Sequence, residues 1–527
     1  MKILGCKSGG HDGSVCFLDD GELIFSIEAE KDDRSRYGLL HNGEVESICK
    51  RQNAVPQIVC GDSFSFGSDD VGKYIGISFD DIQWSDAIFD GQPIQYASVP
   101  HELSHICSAL ALSDVPIGQA CYVLIWEGFI GHFYHVDESL NITRVSEDGA
   151  LPNYVGMRYI LPYHGTGRID AHGHPAAGKI MAIAGMKLGD VDSNKEKEIE
   201  LAKLIASADM IQEAGRVRLN GSWKLLYEKM QYLRGVDVLD PRFISLCRAI
   251  QDELFDAYFQ FAKKELTRGL PLIVAGGCGL NCEWNTQWQK SGLFESVFVP
   301  PVPNDTGIAI GAAAAIQYLK TGKISLNWDV YCGEKFVHEI DDIEKHGFTK
   351  TPLDLDYLCD LIFDDGHVVA WVQGKYEIGP RALCHRSLIA SPLTDATRDK
   401  LNTIKKREFF RPVAPVCLEE DVSELFDCEG ASPYMLFFQK VLSPNLKAVT
   451  HSDGTARVQT MNKDQDSVVY ELLQQCKKKT GYGVLCNTSL NFPGKGFINR
   501  TSGLLNYIEQ TGISVFVIDD FLYQREA

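Results

Sequence analysis

Residues 2–30 contain three short runs in which apolar and polar positions alternate: Lys2–Cys6, Ser14–Leu18 and Glu22–Glu28. They are parted by Ser8-Gly9-Gly10-His11-Asp12-Gly13 and by Asp19-Asp20-Gly21. A period of two predicts strands, and Asp-Gly between two such runs predicts a tight hairpin. The cadence returns at Gln119–Ile125, Gly131–Val136 and Ile142–Ser146, with Glu127-Gly128 at the first turn, which predicts an internal duplication. Asn42–Arg51 and His101–Leu112 have helical composition. Residues 187–260 read as mostly helical, with breaks near Gly215, Gly221, Gly235 and Pro241. Pro271–Ala275 is a short buried strand entering Gly276-Gly277-Cys278-Gly279, and Gly307–Tyr318 is an Ala-rich buried helix. Duplicated three-stranded units, glycine turns and late helices predict two α/β lobes of the kind that clamp a nucleotide in actin-like ATPases.

Periodicity fades over 327–355, which predicts a boundary. Denser motif regions follow at Gly374–Pro415, His451–Thr460 and Leu485–Asn499. A length of 527 residues agrees, since it exceeds one ordinary domain. The 45% hydrophobic and 10% aromatic content excludes a disordered chain. Sixteen cysteines without a repeated spacing or a Cys-x-x-Cys predict free thiols in a reducing cytoplasm. No apolar stretch approaches the length of a bilayer span, so no membrane partner is expected. The net charge of −20, from 51 Lys plus Arg against 71 Asp plus Glu, disfavours a broad nucleic-acid surface. The acidity is uneven: residues 351–527 hold 19 basic and 23 acidic side chains, leaving 32 and 48 upstream.

The Gly9–Ser14 loop exposes backbone amides that suit a phosphate, although a plain tight turn accounts for it equally well. His11 adds an acid–base group to that loop. His101-Glu102-Leu103-Ser104-His105 sets two imidazoles at i and i+4 on one helix face, a spacing that lets both reach one metal. The letters also spell the zinc-protease pattern, with Glu102 as its base, but no third ligand follows at the expected distance. Glu127 at a strand end and Asp305 before a helix are carboxylates placed to face a metal or nucleotide, or to cap a turn.

The downstream motifs are more specific. Gly379-Pro380-Arg381-Ala382-Leu383, His385-Arg386-Ser387 and Lys405-Lys406-Arg407-Glu408-Phe409-Phe410-Arg411-Pro412 mix cations with aromatics and prolines that pull them toward the interior. A semi-buried Arg calls for a planar anion such as phosphate or carboxylate. Arg457 follows the Asp453-Gly454 turn, and Asn487-Thr488-Ser489 supplies amide and hydroxyl groups. Together they predict a cavity for a phosphorylated ligand.

In order and number these blocks resemble the O-carbamoyltransferases of nodulation, cephamycin and aminoglycoside pathways. The likeness runs through most of the chain: His11-Asp12-Gly13, Glu28-Ala29-Glu30, His101 to His105, Gly178-Lys179-Ile180-Met181, Gly276 to Cys282, Asp305-Thr306-Gly307, Gly379 to Leu383, Arg407 to Pro415, His451 to Thr460 and Asn487 to Asn491. The resemblance implies an α/β chain. Its two-lobed actin-like (ASKHA) N-terminal domain, residues 1–335, is similar to that of tRNA threonylcarbamoyl transferases and holds a helical insertion near 187–260. A YrdC-like α/β C-terminal domain spans 350–527.

It further implies that carbamoyl phosphate and ATP give carbamoyl-adenylate in the C-terminal domain, and that the carbamoyl group then passes to an acceptor hydroxyl in the N-terminal one. Arg381, Lys405, Arg407, Arg411, Arg457, Asn487 and Ser489 match the positions that bind the phosphorylated substrates, and Gly276, Gly277 and Asn281 fall in a nucleotide-binding block. His101, His105, Glu127 and Asp305 match the ligands of a divalent iron, ATP brings Mg2+, and His11 and Arg36 are the catalytic candidates. The chain departs from the family at Glu127 for Asp, Arg36 for Lys, Glu102 for a middle His, and Cys384-His385 for Gly-Asn. The expected acceptor is a small natural product or a sugar. A hydroxymethylated DNA base is the alternative, with Arg216, Arg218, Lys224, Lys263 and Lys264 as its basic track. A non-catalytic nucleotide sensor, an actin-like kinase and a homodimer are further readings.

Overall fold

The computed structural model describes every residue except 63–73, 148, 168–173, 187–194, 209, 214–215, 220–222, 341 and 526–527. The expected breaks at Gly215 and Gly221, and the expected start at 187, lie outside the described residues. The chain divides into two units, Met1–Ser113 with Pro300–Ala527, and Asp114–Val299.

The first unit opens with β1 (Lys2–Lys7), β2 (Ser14–Asp19), β3 (Glu22–Glu28), α1 (Asn42–Arg51), β4 (Ile58–Asp62), β5 (Gln83–Phe89), β6 (Gln92–Val99) and α2 (His101–Leu112). Its strands lie in the order β3-β2-β1-β4-β6-β5. The β1–β2 and β2–β3 pairs are antiparallel, and β1–β4 and β4–β6 are parallel.

The second unit repeats this plan with β7 (Cys121–Trp126), β8 (Gly131–Val136) and β9 (Ile142–Arg144) as the meander. The helices α3 (Val155–Gly165), α4 (His174–Ala184) and α5 (Lys195–Ser207) come next. A hairpin of β10 (Met210–Glu213) and β11 (Arg216–Leu219) leads to α6 (Trp223–Met230) and α7 (Pro241–Glu265). The unit closes with β12 (Leu272–Ala275), α8 (Cys282–Lys290) and β13 (Val297–Phe298). The order β9-β8-β7-β12-β13, with β12 parallel to both β7 and β13, follows the order β3-β2-β1-β4-β6 of the first sheet. The predicted duplication is therefore real, and the fold is the α/β, actin-like one. The segment read as helical is interrupted by the hairpin, where four-residue strands are too short to give a period.

Helix α9 (Ile308–Thr321) returns the chain to the first unit. Its sequence Ile-Ala-Ile-Gly-Ala-Ala-Ala-Ala-Ile is buried throughout, and it packs on α2 and β1. Two glycines allow this approach. A β-carbon on Gly311 would lie 1.8 Å from the Ser104 carbonyl oxygen, and one on Gly5 would lie 2.1 Å from that of Ala309. Backbone against backbone is how α9 reaches α2, and α2 carries both candidate histidines.

The C-terminal portion builds an eight-stranded mixed sheet in the order Thr349–Pro352, Phe521–Gln524, Val515–Ile518, Val369–Val372, Arg386–Ala390, Val484–Ser489, Ala414–Leu418 and Gln459–Met461. Apolar clusters containing Phe336, Phe348, Leu388 and Phe516, and Trp371, Leu361, Leu472 and Val517, form its cores. Arg386 is wholly buried and fully used: it donates to the carbonyls of Gln373, Gly374 and His385 and to Asn499 Oδ1, which ties the Gly374–Arg386 loop to its sheet.

Replacing Gly311 with Ala forces α9 away from α2. The expected loss is about 1–3 kcal/mol of stability, read as a lower thermal midpoint than wild type. An unchanged midpoint would contradict the close packing.

Candidate active sites

His101 and His105 lie in the first two turns of α2, and Asp305 lies in the short turn Asp305–Gly307 that opens α9. All three are buried, and their ligand atoms lie within 4.8 Å of one another. His105 Nε2 is 3.6 Å and His101 Nε2 3.9 Å from Asp305 Oδ1. Two imidazoles and a carboxylate form a donor set suited to a divalent transition metal. The helical spacing read from the sequence thus yields a cluster, and the α2–α9 packing brings in the carboxylate.

Asp62, at the C-terminal end of β4, escaped the sequence reading. Its Oδ2 is 3.2 Å from His101 Nδ1, an arrangement that commits Nδ1 to the hydrogen bond and turns Nε2 toward Asp305. Its signal was an acid ending a buried strand, Ile58-Val59-Cys60-Gly61-Asp62. Lys7, buried at the end of β1, sits 3.4 Å from Asp62 and 3.8 Å from Asp305. Burial works to raise the Asp305 carboxyl, but His101, His105 and Lys7 outweigh it and hold the group well below the usual carboxylate range. Glu102 is engaged elsewhere. Its Oε2 accepts the Gly76 N–H at 2.8 Å, so the protease-like spelling does not yield a free base here.

His11 stands on the loop between β1 and β2, with Nδ1 3.0 Å from Asp12 Oδ2 and 4.0 Å from Asp305 Oδ2. Asp12 is itself held by Asn304 Nδ2 at 3.3 Å. Burial works to lower the His11 imidazole, but Asp12 and Asp305 reverse this and raise it.

Glu127 belongs to the second unit, buried just after β7; its N–H donates to Ile130 O at 2.9 Å. Gly276 and Gly277 follow β12 there. Gly276 has φ +86°, and a β-carbon on it would meet the Trp126 carbonyl oxygen at 2.5 Å. Asn281 caps α8 by accepting from the N–H groups of Glu283 and Trp284.

In the C-terminal portion, Arg381, Lys405, Arg407, Arg411 and Arg457 form a cluster of cations, and Arg36 from the loop before α1 acts on Lys405 and Arg411. Burial, with Arg411 and Arg457 adding to it, pushes Arg407 down to about 9. Burial, with Arg407 and Arg36, pushes the Lys405 amine well below its ordinary value. Lys405 Nζ donates to the carbonyls of Ser489 and Asn491, at 2.6 and 2.9 Å, and to Asn491 Oδ1 at 2.5 Å. Arg407 Nε donates to Asn402 Oδ1 at 2.6 Å. Asn487 Nδ2 donates to Ala382 O at 3.1 Å and to Gln459 Oε1 at 2.8 Å, beside Arg381. Crowded, desolvated cations repel one another, and a multiply charged anion relieves that repulsion. His451, pushed down to about 4 by burial, stays neutral at pH 7 next to Arg457.

The two departures after Leu383 are structural. Cys384 holds φ +83°, which glycine adopts without strain. His385 stacks on Tyr331 with ring centroids 3.5 Å apart and bonds Asp466 at 2.9 Å.

Arg36 reaches the cationic cluster because its loop is bound to the C-terminal portion. Asp33 N donates to Phe497 O, Arg36 N to Gly494 O and Gly496 N to Arg34 O. Arg500 forms a bidentate pair with Asp32. Buried Lys31 lies 3.0 Å from Glu28 and donates to Gly379 O at 2.6 Å.

Comparison with known proteins accounts for this combination. The family model for the carbamoyltransferase N-terminus matches residues 90–314, and that for the carbamoyltransferase C-terminus matches 361–525. A 3'-hydroxymethylcephem-O-carbamoyltransferase of Amycolatopsis lactamdurans is 38% identical, over 100% of this chain and 99% of its own. One of the same name from Streptomyces clavuligerus is 36% identical over 100% of both chains. Nodulation protein U of Rhizobium tropici is 32% identical over 94% of this chain and 92% of its own. With its half-buried cationic cluster, its histidine–carboxylate cluster and relatives of this identity across its whole length, the chain belongs to the O-carbamoyltransferase family of enzymes.

Proposed function

We propose that the chain is an ATP-dependent O-carbamoyltransferase acting in two steps, with residues 350–527 as a YrdC-like adenylation domain and 1–335 as the transfer domain. The observation that carries the reading is the crowding of Arg381, Lys405, Arg407, Arg411 and Arg457 in one half-buried cluster, which suits two polyanions brought together. In the first step carbamoyl phosphate loses its phosphate to water, and the freed carbamate oxygen attacks the α-phosphorus of ATP. Carbamoyl-adenylate, pyrophosphate and orthophosphate result. The cations bind the phosphoryl groups and offset their mutual repulsion, and Mg2+ accompanies ATP. Ser489 and Asn487 orient the substrates from the adjoining strand, and Gly276, Gly277 and Asn281 are assigned to the nucleotide side of the transfer domain on the family resemblance.

In the second step the acceptor hydroxyl attacks the carbamoyl carbon and AMP leaves. His11, steadied by Asp12, takes the hydroxyl proton, and Arg36 contacts the adenylate. His101, His105 and Asp305 would hold a divalent metal, with Glu127 added on the family resemblance alone. A two-histidine, one-carboxylate set suits Fe2+, and the ion would supply a Lewis-acid contact for the adenylate phosphate. The names of the relatives favour a hydroxymethyl group on a small molecule as acceptor. Of the basic side chains considered for DNA, Lys263 and Lys264 are exposed and Lys264 pairs with Glu265, as a solvated helix end would.

Incubation with ATP, carbamoyl phosphate and 3'-hydroxymethylcephem is expected to release pyrophosphate and add one carbamoyl group by mass spectrometry. Folded enzyme that releases no pyrophosphate with carbamoyl phosphate would overturn the two-step reading. A carbamoyl adduct on hydroxymethylated DNA and on no small molecule would overturn the acceptor.

The two sites separate by mutation. His105→Ala is expected to lose bound metal and transfer while retaining pyrophosphate release, and Arg407→Ala to slow pyrophosphate release about 100-fold with metal content unchanged. Asp62→Asn, which removes the carboxylate on His101, is expected to weaken metal affinity about 10–100-fold by titration against a chelator.

A further inference from the structure

Tyr37 has no part in the scheme above, yet its position is unusual. It has φ +60°, and Asp32 and Asp33 on the same loop each have φ +62°. A residue with a β-carbon pays roughly 1–2 kcal/mol to sit there, so the loop is held by its partners. The backbone hydrogen bonds from residues 33–36 to 494–497 hold one side. On the other, Gly13 N donates to Gly38 O at 2.8 Å, which ties the residue after Tyr37 to the His11-Asp12-Gly13 loop. Gly13 is in close contact there, since a β-carbon on it would lie 2.5 Å from the Leu40 nitrogen.

Tyr37 therefore stands one residue from Arg36, which faces the cationic cluster, and one from the contact with the His11 loop. The charges around its phenol have the same double origin. Asp12 and Glu30 act on it from the N-terminal elements, and Arg381 and Arg411 from the C-terminal ones. Burial raises its ionisation above the ordinary tyrosine value.

We propose that Tyr37 is a positioning residue which holds carbamoyl-adenylate between its formation at the Arg381–Arg411 cluster and its use beside His11. This inference rests on the two-step reading. In the productive step a bond forms between the acceptor oxygen and the carbamoyl carbon. The bond from that carbon to the adenylate oxygen breaks, AMP leaves with the electron pair, and the proton goes to His11. In the competing step water is the nucleophile: AMP leaves as before, and the carbamic acid formed breaks down to carbon dioxide and ammonia. A donor that retains the intermediate favours the first step over the second.

The test is a single turnover with labelled ATP and carbamoyl phosphate and no acceptor, comparing wild type with Tyr37→Phe. The variant loses one oxygen and keeps the ring, and its thermal midpoint is measured alongside; Tyr37→Leu provides a second reading. Both variants are expected to keep the wild-type pyrophosphate burst and to lose enzyme-bound label as AMP about tenfold faster, the scale of one hydrogen bond to a charged group. With 3'-hydroxymethylcephem present, pyrophosphate per carbamoylated product is expected to rise. Unchanged retention with a normal burst would overturn the role of Tyr37 and leave the two-step reading standing. A burst that falls in proportion to retention would also overturn it, since that marks a general structural defect. Absence of a burst in the wild type would overturn both.

Discussion

Everything at the histidine cluster depends on how near one helix backbone comes to another. Helix α9 is rich in alanine, and at Gly311 its backbone is in contact with that of α2. That approach delivers Asp305 to His101 and His105. A bulkier residue in α9 would part the carboxylate of Asp305 from the two histidines of α2. The alanine-rich composition that looks like bland core filling is therefore what sets the chemistry. Asp305, set among His101, His105 and Lys7, is ionised because these cationic or polar neighbours offset its burial.

The cationic cluster works by the opposite logic. Two of its members are set in place by neutral groups: carbonyls of Ser489 and Asn491 hold Lys405, and Asn402 holds Arg407. Amides and carbonyls orient these two side chains without neutralising them. The overall acidity of the chain is compatible with this, because its excess lies upstream of residue 351.

Much of the site was legible because its signals were local. The His101/His105 pair needs only a helical period, and Asp305 needs only a turn before an apolar helix. The duplicated meanders, set by period-two alternation and Asp-Gly turns, gave the fold class. Asp62 was not legible, because its meaning depends on β4 lying beside β1 and β6, a register no local pattern encodes. Tyr37 was hidden more deeply: its place depends on hydrogen bonds to residues about 460 positions away. Cys384 and His385 stood out in the sequence as departures, and the structure gives them backbone and stacking roles beside the cationic cluster.

The first unit is discontinuous, since Asp114–Val299 is inserted between its parts. During synthesis β1–β6 and α2 leave the ribosome well before α9. At ordinary elongation rates the inserted stretch takes on the order of 10–40 s to make. For that interval α2 and its two histidines lack the helix that packs on them, so the nascent chain carries an open apolar surface. Contacts of such long sequence separation slow folding. Assembly of the histidine–carboxylate cluster is therefore a late event in the life of the polypeptide, and a chain released before Asp305 is made holds the imidazoles without the carboxylate that completes them.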